Sequence, residues 1–201
     1  MKRQTLAFLL VFAATLSVQA QLFEKIDPSL TGVSFRNEII ESDSFNVLVD
    51  FYAYNGGGVG LGDLDGDGLL DLVLTSTSNG IRYYRNMGAW KFEDVTASHG
   101  LAIEGRGINT GVLIADLNSD GRLDVYVCRR YDANRLFINN GNGTFIDRSE
   151  GSALAVRSFS TMATVLDYDR DGDLDVFLVN SGEPRRKGYL NPGVPRILDT
   201  V

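Results

Sequence analysis

Apolar residues in this chain come in short runs separated by turn formers, and the runs recur about every 52 residues. Three of them, Leu72-Val-Leu-Thr, Val125-Tyr-Val-Cys and Val176-Phe-Leu-Val, are β-branched and continuously apolar, the mark of strands buried on both faces. A strand of small and apolar residues precedes each of these: Val59-Gly-Leu-Gly, Val112-Leu-Ile-Ala and Ala163-Thr-Val-Leu. A third strand follows each, with Tyr84, Phe137 and Tyr189 in equivalent places and Arg82, Arg135 and Lys187 as solvated edge positions. Turns at Asn86-Met-Gly, Asn139-Asn-Gly and Asn191-Pro-Gly lead to a fourth strand in Phe92-Glu-Asp-Val, Phe145-Ile-Asp-Arg and Ile197-Leu-Asp-Thr. The pattern predicts an all-β chain of three four-stranded antiparallel units, the repeating geometry of β-propeller blades. Blade 1 is expected over 57–104, blade 2 over 105–157 and blade 3 over 158–201, the last with an incomplete end.

Residues 21–56 precede the first unit. Phe23-Glu-Lys-Ile-Asp resembles Phe92-Glu-Asp-Val-Thr and is expected to form an outer strand; Arg36 to Tyr54 has no counterpart in the repeats and reads as an enlarged loop. Residues 1–20 have the form of an export signal: basic Met1-Lys-Arg-Gln, an apolar run from Leu6 to Leu16, and the small-residue cleavage site Val18-Gln-Ala20. That run is too short to span a bilayer, so the expected destination is outside the cytoplasm, in the periplasm, at the cell surface or secreted.

The segment joining the first two strands of each unit carries the chemistry. It reads Asp63-Leu-Asp-Gly-Asp-Gly-Leu-Leu-Asp71, then Asp116-Leu-Asn-Ser-Asp-Gly-Arg-Leu-Asp124, then Asp167-Tyr-Asp-Arg-Asp-Gly-Asp-Leu-Asp175, with starts 53 and 51 residues apart. Oxygen-bearing side chains occupy positions 1, 3, 5 and 9: Asp63, Asp65, Asp67 and Asp71; Asp116, Asn118, Asp120 and Asp124; Asp167, Asp169, Asp171 and Asp175. Glycine at position 6 permits the turn that folds them inward. Four such carboxylates brought together repel by up to about 4 kcal/mol per pair at roughly 4 Å in an effective dielectric of about 20. A hard cation removes that cost, and the all-oxygen donor set favours Ca²⁺. One copy alone could be only an Asp-Gly hairpin turn; three copies point to about three calcium ions. An EF-hand would need Glu at loop position 12, where the chain has Leu74, Val127 and Leu178.

Charge and composition narrow the remaining functions. Without Lys2 and Arg3 the chain has 17 basic and 26 acidic residues, a net −9, and eleven of the acids are loop aspartates. Three Ca²⁺ would reduce this to −3, so the acidity is local ligand chemistry, and no basic patch with interleaved aromatics suggests nucleic acid. Cys128 is the sole cysteine and excludes an intramolecular disulfide; it aligns with Thr75 and Val179 as a core filler. The sole histidine, His99, has no nucleophile or metal set beside it. There is no Arg-Gly-Asp, and Asn142-Gly-Thr has the form of a glycosylation acceptor in a turn of the repeat.

Gly58-Val-Gly-Leu-Gly-Asp-Leu-Asp-Gly-Asp-Gly-Leu-Leu-Asp-Leu and its two copies resemble FG-GAP/VCBS repeats, the blades of integrin α-subunit propellers. With the Phe-Glu-Asp-Val-Thr and Gly-Leu strand ends, the chain is similar more particularly to ASPIC/UnbV-type, cartilage-acidic-protein-like secreted proteins. The resemblance implies a Ca²⁺ loop in which the carbonyl of position 7 joins the side chains, here from Leu69, Arg122 and Asp173. It also implies closure with about seven blades, so the three visible here are expected to be the N-terminal part of a longer propeller. Asn118 supplies one charge fewer, which makes the second loop the weakest. The leading reading is a binding or adhesion scaffold for a protein or glycan, with self-association through uncovered blade faces. The alternatives are part of a propeller hydrolase, lyase or dehydrogenase, and a purely structural segment of a multidomain surface protein.

Overall fold

The computed structural model describes residues 23–43, 45–103, 107–182 and 196–198. The export signal, Lys187 and Tyr189 lie outside these residues.

Three antiparallel sheets follow one another along the chain. The first has strands β1 (Val59–Gly62), β2 (Asp71–Thr75), β3 (Ile81–Asn86) and β4 (Phe92–Asp94) in sequential order. The second repeats it with β5 (Ile108–Ala115), β6 (Asp124–Arg130), β7 (Arg135–Asn139) and β8 (Phe145–Asp147). The third contains β9 (Ser160–Leu166), β10 (Asp175–Asn180) and β11 (Arg196–Leu198). These are propeller blades of the expected all-β class. The buried second strands are where the apolar runs place them, and β6 is buried along its whole length.

Register repeats as closely as sequence does. Gly62 pairs with Asp71, Ala115 with Asp124 and Leu166 with Asp175, so each aspartate loop closes on its own ninth residue. Tyr84 and Phe137, matched in the repeats, face Leu72 and Val125. Arg82 and Arg135 pair with Asp94 at 3.5 Å and Asp147 at 3.3 Å, each on the neighbouring outer strand, which gives the expected edge positions a cross-strand partner.

Two apolar layers hold the blades together. Between the first and second sheets lie Leu64, Val73, Tyr83, Val125 and Phe137, with Val112 and Ile114 beside them. Between the second and third lie Ala115, Tyr126, Cys128, Ala163, Val176 and Leu178, with Leu113 and Val165 beside them. Alternation along the innermost strand sends one set of side chains to each neighbour. A Cβ on Gly60 would lie 2.8 Å from Ile114 Cδ1, and one on Gly62 2.8 Å from Ile114 Cγ2, so glycine there admits the bulk of the second blade. Opposite parity leaves Val59 and Leu61 of β1 exposed, and on β9 Met162 and Leu166.

Two sequence expectations are corrected. Phe23 to Asp27 forms no strand: Asp27 caps the short helix α1 (Pro28–Thr31), its carboxylate accepting from Ser29 N at 2.9 Å, and Pro28 starts the turn. Local capping chemistry outcompetes pairing for a segment whose likeness to Phe92–Asp94 is only compositional. The second concerns Ile197-Leu-Asp-Thr, expected as a fourth strand, of which the strand β11 (Arg196–Leu198) includes Ile197 and Leu198. That strand pairs directly with β10, Phe177 opposite Ile197, and so takes the third-strand place. The open edge of β10 presents unpaired backbone groups, which any extended segment can satisfy.

The loop before β1 docks at the blade end away from the aspartate loops. Asn37 Oδ1 accepts from Ser76 Oγ and Thr77 N, both at 2.9 Å. Asp50, fully buried, accepts from Arg130 Nη2 at 3.0 Å and Tyr131 OH at 2.8 Å. The Arg130 guanidinium lies 4.8 Å from the Tyr52 ring centre and 5.4 Å from that of Phe159. Among the described residues, no helix is long and apolar enough to cross a membrane.

Candidate metal centres

The three loops fold alike because the same polar side chains organise the same backbone. Position 6 has positive φ in each, at Gly68, Gly121 and Gly172. Position 4 does too, and there the loops use Gly66, Ser119 and Arg170, a left-handed site that sequence reasoning did not mark. The position-1 carboxylate gathers N–H groups of the turn: Asp63 accepts from Gly66, Asp67 and Gly68, and Asp116 from Asp120 and Gly121. Position 3 accepts from the N–H of position 5 at 3.2 Å in all three loops. Position 5 accepts from the N–H of position 7, at 2.9 Å for Asp67 and Asp171 and 3.0 Å for Asp120.

Position 9 is the anchor. Asp71, Asp124 and Asp175 begin the second strands and are buried. Each takes the N–H of position 2, from Leu64 at 3.0 Å, Leu117 at 2.9 Å and Tyr168 at 2.7 Å. Asp71 and Asp124 each take a second N–H with the other oxygen, from Asn86 at 2.8 Å and Asn139 at 2.9 Å. The asparagine that sequence marks only as a turn former is thus a clamp on the loop. Asn139 also donates its side-chain amide to Leu123 O at 3.0 Å and, across the blade boundary, to Leu64 O at 2.8 Å.

Burial makes these anchors costly to ionise. It pushes the Asp71 and Asp124 carboxyls above the ordinary range, the backbone donors oppose it, and the nearby loop aspartates add to it. Burial likewise raises the Tyr83 phenol, whose OH donates to Asp71 at 3.3 Å.

Two loops bring three carboxylates together. Asp63, Asp65 and Asp71, and likewise Asp167, Asp169 and Asp175, each present an oxygen within 4.8 Å of the others. Among the described residues these are the acidic groups gathered so closely. Asp67 and Asp171 stand outside them, and loop 2 has Asn118 at its third position. Leu69, Arg122 and Asp173 sit at position 7 in the turn before the second strand. Convergent, partly buried carboxylates with an all-oxygen donor set are the chemistry a hard divalent cation requires, so the residues fit Ca²⁺.

Loops 1 and 2 share a cleft of about 190 Å³ lined by Asp63, Asp65, Arg122 and Asn139. Two arginines belong to this region that the loop pattern did not reveal as partners. Arg85 Nε is 2.5 Å from Asp65 Oδ2 and its Nη2 3.6 Å from Asp67 Oδ2. Arg122 Nη2 contacts Asp120 Oδ2, and its Nε donates to Asn139 O at 3.2 Å. His99, by contrast, is engaged with Ser98 Oγ at 2.9 Å and edge-on to the Tyr83 ring at 5.8 Å.

The model of the FG-GAP-like repeat matches twice, over residues 63–127 and 116–178. Cartilage acidic protein 1 from Homo sapiens is 31% identical over 141 residues, 65% of this chain and 21% of that protein. Its Mus musculus counterpart is 27% identical over 150 residues, 72% of this chain and 20% of that protein. The chain therefore spans about a fifth of the length of the curated relatives it matches. A solved Agrocybe aegerita lectin, described by its recognition of non-reducing terminal N-acetylglucosamine, aligns over 71% of this chain and 38% of its own with a TM-score of 0.38 and 23% identity.

Proposed function

Because the chain belongs to the FG-GAP-like repeat family, we propose that it is an exported Ca²⁺-stabilised propeller scaffold whose role is binding rather than catalysis. The observation that carries this reading is the gathering of Asp63, Asp65 and Asp71 and of Asp167, Asp169 and Asp175 within 4.8 Å. Calcium would supply the positive charge that offsets carboxylate repulsion at the head of each second strand. The side chains of Asp116, Asn118, Asp120 and Asp124 would hold a third ion, with Asp67 and Asp171 completing the first and last sets. The ion's task is to fix the hairpin between first and second strands, and no chemical step runs through it. Export follows from the leader-like first twenty residues.

A partner of polar chemistry, a protein or a glycan, suits the opposite end of the blades. A cleft of about 760 Å³ opens there, lined by Arg82, Asp94, Thr96, Ser98, Asn109 and Arg129, all of which carry hydrogen-bonding groups. The test of the metal reading is titration calorimetry on chelator-stripped protein. We expect about three calcium sites with Kd on the order of 10⁻⁴–10⁻³ M and much weaker magnesium binding. Absence of calcium heat, or preference for zinc, overturns the assignment.

A further inference from the structure

The three loops share a pattern but not a charge environment. Loop 3 presents five aspartates, Asp167, Asp169, Asp171, Asp173 and Asp175, and among the described residues none of them is ion-paired. Its one basic residue, Arg170, is exposed at position 4 and makes no such contact among the described residues. Loop 1 presents four aspartates against Arg85, and loop 2 three against Arg122.

The two arginines hold oxygens that the cation would need. The Asp65 side chain is only 7% exposed and lies against the Gly143 turn of the second blade, where a Cβ would be 2.9 Å from Asp65 Cβ. Its buried Oδ2 has no hydrogen-bond partner, and Arg85 Nε faces it as a bare ion pair, itself without hydrogen-bond geometry. Such a contact is chiefly Coulombic, and a divalent ion drawn to the same oxygen meets a guanidinium already there. In loop 2, Asp120 Oδ2 is held twice, by Arg122 Nη2 and by Asn118 Nδ2 at 2.9 Å.

We propose that Arg85 and Arg122 are resident counter-cations that compete with calcium at loops 1 and 2, so that loop 3 fills first, loop 1 next and loop 2 last. This rests on the calcium reading above. The arginines are positioning residues. In the ion-poor state they neutralise their loops, and calcium entry requires the guanidinium to swing toward solvent. Both are placed for it, with side chains 37% and 44% exposed.

The test uses the whole chain, stripped with chelator and titrated with calcium by calorimetry, alongside thermal melts at fixed calcium. Asp171→Asn should remove the tightest phase. Arg85→Gln and Arg122→Gln should each tighten one weaker phase roughly tenfold and leave the tightest unchanged. Asp173→Arg, which transfers the position-7 guanidinium of loop 2 to loop 3, should weaken the tightest phase roughly tenfold or abolish it. Arg85→Lys retains the charge and should stay within about twofold of the parent, which separates charge from damage to the strand. If Arg85→Gln does not fold, the exposed Arg122→Gln and Asp173→Arg decide the matter. Calcium binding with affinities indifferent to these arginine changes overturns the inference and leaves the calcium reading standing. No calcium heat in the parent chain overturns both.

Discussion

The two ends of the middle blade treat charge in opposite ways. At the loop end, the aspartates of the first two loops have as their internal partners backbone N–H groups and two half-exposed guanidinium groups. At the far end the excess is cationic, and both arginines that close β6 are internalised. Arg129 is fully buried, donating to Asn109 Oδ1 at 3.1 Å and Asp132 Oδ2 at 3.0 Å. Arg130 is buried beside it against Asp50, with the rings of Tyr52, Tyr131 and Phe159 around its guanidinium. The difference teaches where stability is intrinsic and where it is borrowed. The arginine end carries its own counter-ions; the aspartate end depends on a cation from solution.

The largest effect expected from breaking this contrast is at Asp50. Asp50→Ala leaves Arg130 buried without its carboxylate and should cost about 3–5 kcal/mol in chemical denaturation. The loss should be the same with calcium and with chelator, because the pair lies at the end away from the loops. A deficit repaired by calcium would show the two ends to be one electrostatic unit. A smaller and conditional effect is expected at Asp171→Ala: about 1.4 kcal/mol lost at calcium tenfold above Kd, and little with chelator. Asp120→Ala should cost less under the same conditions, because Asn118 and Arg122 already occupy its oxygen. Equal losses at the two loops would erase the ranking between them. The smallest effect is at Cys128, on β6 between the ends. Burial pushes its thiol up to about 12. A thiol reagent at pH 8 should label it only on unfolding, at one rate with or without calcium. Faster labelling in chelator would mean that the borrowed stability extends into the core.

Much of this was legible in the chain itself. Continuous apolar runs locate β2, β6 and β10, and the nine-residue loops locate the turns before them, because strand burial and loop chemistry are both local in sequence. Asn139 was visible only as a turn former; its bond to Leu64 O reaches a residue 75 positions away, which no local pattern records. Arg85 escaped for the same reason, lying on β3 where its equivalent in the second blade is Ile138. Asp50 sits in a segment without repeat counterparts, so nothing paired it with Arg130. The strand expected at Phe23 failed because likeness to Phe92-Glu-Asp carries no information about an available edge.

The glycine contact between the first two blades has a consequence for how the repeats are strung together. There the leading blade contributes almost no volume, Gly60 and Gly62, and the following one contributes Val112 and Ile114. At the next boundary the bulk is divided otherwise, Leu113 and Ala115 in front of Ala163 and Val165. Repeating the second blade would set Leu113 against another Ile114 and overfill the joint, at roughly 1–3 kcal/mol. Deleting it would set Gly60 and Gly62 against Ala163 and leave a void. Each blade thus carries an address written in methylene groups, legible only to its proper neighbour. Units that look interchangeable in their metal loops are sorted into one order by the volume of residues that never touch the metal.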